Sequence, residues 1–430
     1  MPTLRKIQVS RARAVRPIAA SLATLAALAT LGTGSAWAEE ASPWYIGASQ
    51  SLTHDSNVFR IANGPAGNYS STGLLGGFDQ TFGRQRLFAS ANVRYNKYQD
   101  RDEGTLQAQS KLNNTSYALN AGWDWATLEK LSGNVNVSAN RSLAAFNGIS
   151  VQPTTERNLL SAEQFNTSVR WGGDGLISVF GNYGHSRVSY SALQSLTSES
   201  TGDTASVGMN HRLGASTTVG AAVRLTRTSY PYAIAPVVTM LTPINRADYR
   251  SDSVDGRHID LLADWRYSAQ TGVNLRLSWT RLTYASSNRD FSGLTGAVSA
   301  RYAPTAKLGF SASLSRDAGT NSTSATFVNL ANGQHTTYLT ENSQTSDSLS
   351  LGASYAATAK ISVVSGLNYR RANYANNSAS DHYRSATLGV TYAVARNWQL
   401  ACNLSHEALS SVVNSYDANV LGCSAQFTLR

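Results

Sequence analysis

Between residues 273 and 279 the chain reads Val-Asn-Leu-Arg-Leu-Ser-Trp, apolar at every odd position and polar at every even one. A period of two is strand geometry, because successive side chains leave from opposite faces. The same alternation runs through Gly133 to Asn140, Thr218 to Leu225, Leu308 to Ser315 and both arms of residues 397–430. No helical stripe follows the first forty residues, so nothing is available to cover these apolar faces. A sheet closed on itself needs no cover if acyl chains solvate its outside and water its inside. Each run is about ten residues, the length of a tilted strand that crosses a bilayer. Charged residues make up only 14% of the chain, as expected where half of every strand faces lipid.

The connections point the same way. Short turns lie near Gly83, Leu128, Gly173, Gly214, Gln270, Pro304, Thr358 and Arg396. Most carry the Gly, Pro, Asn, Asp or Ser that tight turns tolerate. Long connections cover residues 55–71, 100–113, 144–157, 192–200, 230–256, 286–291, 318–345, 373–381 and 410–417. Short and long alternate strictly. The fold class expected is therefore all-β: a transmembrane antiparallel up-and-down β-barrel of about 18 strands, with short periplasmic turns and long extracellular loops.

Parity then assigns the side chains. The outward phase ends, before most short turns, in Phe82, Trp125, Trp171, Tyr267, Tyr302, Tyr355 and Tyr392, with Trp44 and Trp398 at matching depth. Amphipathic rings gathered at one end read as a periplasmic aromatic girdle. The inward phase holds Arg86, Arg94, Arg170, Arg212, Arg224, Arg266, Arg276, Arg301 and Arg370 as pore-lining candidates. Asp124, Asp260 and Asp264 share that phase. Such a wall either favours anionic solutes through charge-assisted hydrogen bonds or is neutralised by its own acids.

Residues 1–38 have the form of a secretory signal peptide: a basic start, an apolar run over 18–31 and Ala36-Trp37-Ala38 before the expected cut. The run is shorter than the ~20 residues a spanning helix needs. Its removal takes Arg5, Lys6, Arg11, Arg13 and Arg16 and no acid, which lowers the net charge of +10 by five. The domains expected are this leader and one barrel over 39–430. A hairpin centred between Ser411 and Val413 sets Cys402 opposite Cys423, so an oxidising compartment would join them as a disulfide.

No catalytic constellation stands out. The histidines, His54, His185, His211, His258, His335, His382 and His406, fall in no spacing tied to chemistry. Asp100, Asp102 and Glu103 form an acidic loop that could hold a divalent ion with lipopolysaccharide, or simply be solvated. There is no phosphate-binding loop, dinucleotide fingerprint or zinc spacing, so the reading is a non-enzyme without cofactor or metal. The compartment argues against nucleic acid as a partner. Outer-membrane lipid and lipopolysaccharide are the partners expected.

The stretch Leu52-Thr53-His54-Asp55-Ser56-Asn57-Val58-Phe59-Arg60, after Tyr45-Ile46-Gly47-Ala48, resembles the opening of exosortase-associated exopolysaccharide biosynthesis outer-membrane proteins. These are the EpsL type, within the putative β-barrel porin 2 group. The resemblance implies a Gram-negative outer-membrane barrel working beside polysaccharide export proteins, with exopolysaccharide as the solute. A general diffusion porin for small anionic or sugar solutes is the alternative. A lipid or glycan hydrolase and a barrel plugged by its own loops are the remaining ones.

Overall fold

The computed structural model describes residues 42–99, 109–144, 156–173, 175–234, 246, 249–286, 290–318, 325–328, 335–338, 343–374, 380–411 and 415–430. The expected leader and the acidic group Asp100, Asp102 and Glu103 lie outside these residues.

Alternation and turns produce a run of strands. The first six are β1 (Trp44–Asp55), β2 (Gly67–Phe82), β3 (Gln85–Gln99), β4 (Asn114–Ala126), β5 (Leu131–Leu143) and β6 (Leu159–Trp171). Then come β7 (Ile177–Tyr190), β8 (Ser200–Arg212), β9 (Thr217–Ile234), β10 (Arg250–Trp265), β11 (Thr271–Tyr284), β12 (Phe291–Tyr302) and β13 (Leu308–Ala318). A separate two-stranded ladder, β14 (Ala325–Val328) with β15 (His335–Tyr338), lies in the next connection. The chain finishes with β16 (Ser343–Ala356), β17 (Ile361–Tyr374), β18 (Ser380–Ala395), β19 (Trp398–Ser410) and β20 (Tyr416–Leu429).

Apart from β14 and β15, each strand pairs antiparallel with its chain neighbours in one 18-stranded sheet. β1 pairs with both β2 and β20, which closes the sheet into a barrel without a free edge. Tight turns allow this. Between β2 and β3 only Gly83 and Arg84 intervene, and Gly83 takes φ +61°, a left-handed conformation that costs glycine nothing.

Two connections fall furthest short of the expected bounds. The expected loop over 230–256 is invaded from both sides, because β9 runs on to Ile234 and β10 starts at Arg250. The first long connection ends at Gly67 rather than at residue 71. Both extensions lie at the long-loop end, where the alternation continues with polar residues on the outside.

The barrel has no central core. On β11, Leu275, Leu277 and Trp279 are exposed on the outside while Arg276, Ser278 and Thr280 are buried on the inside. The same parity holds on β10, where Ile259 and Leu261 face out and His258 and Asp260 face in. Buried apolar residues gather instead at the long-loop end, on the inward phase. One cluster is Val58, Phe59, Tyr69, Tyr98 and Leu112, another Tyr230, Val254, Leu282 and Tyr284, and a third Tyr383 with Tyr416.

Cys402 and Cys423 stand directly opposite across β19 and β20 and form the disulfide. Both lie on the outward face.

Candidate functional site: the inner wall and its mouth

The structure sets Arg86, Arg94, Arg170, Arg212, Arg224, Arg266, Arg276, Arg301 and Arg370 on the inward phase of their strands or at its end. It brings few of them together. Arg224 makes a bidentate pair with Asp260, at 2.8 and 3.1 Å, across the β9–β10 ladder. Arg276 reaches Asp317 at 3.5 Å. Beside them His258 bonds Thr280, which bonds Thr295 in turn. Nearer the short turns, Arg86 holds Asp79 through two hydrogen bonds of 2.8 and 2.5 Å and lies 3.7 Å from Asp124. Arg266 pairs with Asp264. Arg94 and Arg301 have no ion-pair partner among the described residues.

Between the ion pairs the wall is neutral and hydrogen-bonding. Asn96 on β3 bonds Ser71 on β2 and both Asn114 and Ser116 on β4. Asn182 with Ser206, and Asn368 with Ser385, repeat the pattern elsewhere. Short polar side chains of this kind satisfy one another across strands and leave their remaining capacity to the space they face.

Sequence reasoning missed the mouth. Asp55, at the end of β1, caps the turn by accepting the Asn57 backbone N–H at 2.9 Å. Asn57 donates through its amide to the carbonyls of Ile61 and Asp417. Arg60, with φ +53°, donates to both Asp55 oxygens at 2.8 Å and to Glu407 on β19. Glu407 also accepts the Tyr383 hydroxyl. Asp55, Tyr383 and Glu407 all sit on the inward phase. The connection from Ser56 to Ala66 is thus turned into the mouth and latched there. Phe59, only 2% exposed, packs with Tyr69 and Tyr98, whose rings stack at 4.8 Å. The stretch singled out by its resemblance is this latch.

At the short-turn end the aromatic rings lie on the outside. Phe82, Trp171, Tyr267, Tyr302, Tyr355 and Tyr392 are exposed, as are Trp44 and Trp398, and Trp125 is half-buried beside Trp123. A second tier joins them: Trp265 beside Tyr267, Phe310 stacked on Tyr302 and Phe427 against Trp398. All of these lie on the side that carries Ile46, Leu261, Leu277 and Leu351, which are exposed as well. A continuous apolar exterior on a closed sheet is stable only in lipid.

The chain is a closed 18-stranded β-barrel of the bacterial outer membrane. Residues 295–428 match the family described as "Putative beta-barrel porin 2". No curated protein matches the chain. Among solved structures, the outer membrane protein OpdK from Pseudomonas aeruginosa aligns with TM-score 0.46 and 12% identity, over 90% of this chain and 99% of that one. OccAB4 from Acinetobacter baumannii aligns with TM-score 0.45 and 9% identity, over 90% and 99%. A BenF-like porin from Pseudomonas fluorescens Pf-5 gives 0.44 and 13%, over 91% and 99%. The strand register of the barrel itself carries the fold. In this orientation the short turns are periplasmic and the latched mouth faces outward.

Nothing among the described residues assembles a hydrolytic site. Ser380 and His382 are hydrogen-bonded at 2.9 Å on the outer face, yet the other ring nitrogen meets the Tyr369 hydroxyl, not a carboxylate. A serine–histidine triad uses that carboxylate to fix the tautomer. His185 meets Asp203 at 2.9 Å with Tyr183 as the third member.

Proposed function

We propose that this barrel is a diffusion porin for small polar solutes, with a mouth narrowed by its first outer connection. The observation that carries the reading is the wall: 18 strands whose inward phase is lined by amides, hydroxyls and arginine–carboxylate pairs. Barrels of about 16–18 strands enclose an aqueous channel. Neutral donors and acceptors suit sugars. Because Arg86, Arg224, Arg266 and Arg276 are each matched to an acid, anion preference is modest and comes from Arg94 and Arg301. The aromatic row at the short turns anchors the barrel at the periplasmic headgroup layer.

Liposome swelling tests this. Vesicles containing the protein pass small neutral sugars, and Arg60→Ala raises the flux. Absence of flux above empty vesicles for both proteins refutes the reading.

A second reading keeps exopolysaccharide as the solute and polysaccharide export proteins as partners. The resemblance at residues 52–60 favours it. Those residues build the latch, so the two readings differ in what opens the mouth. Labelled exopolysaccharide that crosses loaded vesicles only after Arg60→Ala supports the second reading; passage of small sugars alone supports the first.

A further inference from the structure

On the outward face the apolar run stops within one outward step on neighbouring strands: Ile259 and Trp279 stand opposite each other, and Leu225 stands opposite Arg257. Leu225, Ile259 and Trp279 are the last exposed apolar residues of β9, β10 and β11, and Arg227, Arg257 and Arg281 come next. Eight residues separate Val273 at the short-turn end from Arg281, which at ~3.3 Å per residue and ordinary strand tilt is a height of about 20 Å, most of the ~25 Å of an outer-membrane apolar band. At this level the inward phase turns apolar, with Val254, Leu282 and Tyr284 buried. The exterior solvent therefore changes here from acyl chain to headgroup.

Arg257 and Arg281 are directly opposite each other in the β10–β11 ladder, on the same face, and both are exposed. Like charges placed so are destabilising unless something bridges them. No strand neighbour among the described residues does. Across β9 the partner of Arg257 is Leu225, and across β12 the partner of Arg281 is Ser292. Asp255, the acid of this patch, is 3.8 Å from Arg227 instead.

We propose that Arg257 and Arg281, flanked by Arg227, bind the phosphate of an outer-leaflet glycolipid headgroup. Two guanidinium forks on one edge of the band match a phosphate's oxygens, and Ile259 and Trp279 just below receive the acyl chains. The proposal rests on the outer-membrane placement and not on what passes through the lumen, so swelling assays leave it untouched.

The test uses the whole protein in neutral detergent micelles, titrated with bis-phosphorylated lipid A, dephosphorylated lipid A and inorganic phosphate. The bis-phosphorylated form binds at least about tenfold more tightly than either of the others, and the double substitution Arg257→Gln, Arg281→Gln removes that preference. Arg316→Gln, on the outer face of β13, leaves it in place. Equal binding of phosphorylated and dephosphorylated lipid overturns the proposal, as does equal binding of free phosphate or an unaltered preference in the double variant. If the double variant does not fold, the comparison of the three ligands on the unaltered protein still decides.

Discussion

The lower and upper halves of β11 obey opposite rules. In the lower half Leu275, Leu277 and Trp279 face outward and Arg276 and Ser278 face inward; in the upper half Arg281 and Thr283 face outward while Leu282 and Tyr284 are buried inside. Strand geometry never changes phase between them. What changes is the solvent outside. At membrane level lipid rewards apolar exteriors and the lumen takes the polar side chains. Above it, water and headgroups surround the strands, and the barrel packs a conventional core inside its own mouth. The latch of Asp55, Arg60 and Glu407 belongs to that upper region, together with the ring of buried tyrosines.

Substitutions in the two halves have different expected costs. The largest effect is expected from Arg60→Ala, which leaves two carboxylates, each about a tenth exposed, facing each other without their cation. The loss is about 3–5 kcal/mol, read by urea unfolding in vesicles. Replacing Cys402 and Cys423 by serine removes a cross-link between residues 21 apart and costs about 3 kcal/mol in the same assay. Leu277→Arg puts a charge into the lipid-facing band at about 2–4 kcal/mol. Leu282→Ala, five residues further on, costs about 2 kcal/mol by opening a cavity in the upper core. Smallest of all is Thr283→Arg, on the outward phase above the band, which changes stability by less than about 0.5 kcal/mol. A cost for Thr283→Arg equal to that of Leu277→Arg erases the distinction between the two regions.

Much of this architecture is legible in the residues. Period-two alternation and turn-forming residues are local signals, so strand number, connection rhythm and the register of Cys402 with Cys423 follow from counting. Parity also tells which side of a strand Arg224 or Arg276 occupies. It cannot tell that Arg224 meets Asp260 or that Arg276 meets Asp317, because those pairs depend on which acid lies within reach across strands. The latch is harder still: Arg60 and Glu407 are 347 residues apart and meet only because the barrel closes. The exchange of apolar and polar sides is hidden for another reason. Over 250–257 the outward residues are Ser251, Ser253, Asp255 and Arg257, and a polar stretch of this kind has the composition of a loop. The row of Arg227, Arg257 and Arg281 does leave a signal in the sequence, a charge just after four outward apolar residues.

Nitroxide accessibility along β11 reads out which solvent each side chain meets. Single substitutions to cysteine at each position from Leu275 to Tyr284, in protein that lacks Cys402 and Cys423 and is reconstituted in vesicles, are spin-labelled one at a time. Oxygen-rich, lipid-like signals are expected at Leu275, Leu277 and Trp279, water-soluble relaxant reaching Arg281 and Thr283, and protection from both at Leu282 and Tyr284. A lipid signal at Leu282 and Tyr284, or water reaching Leu277, would contradict that pattern.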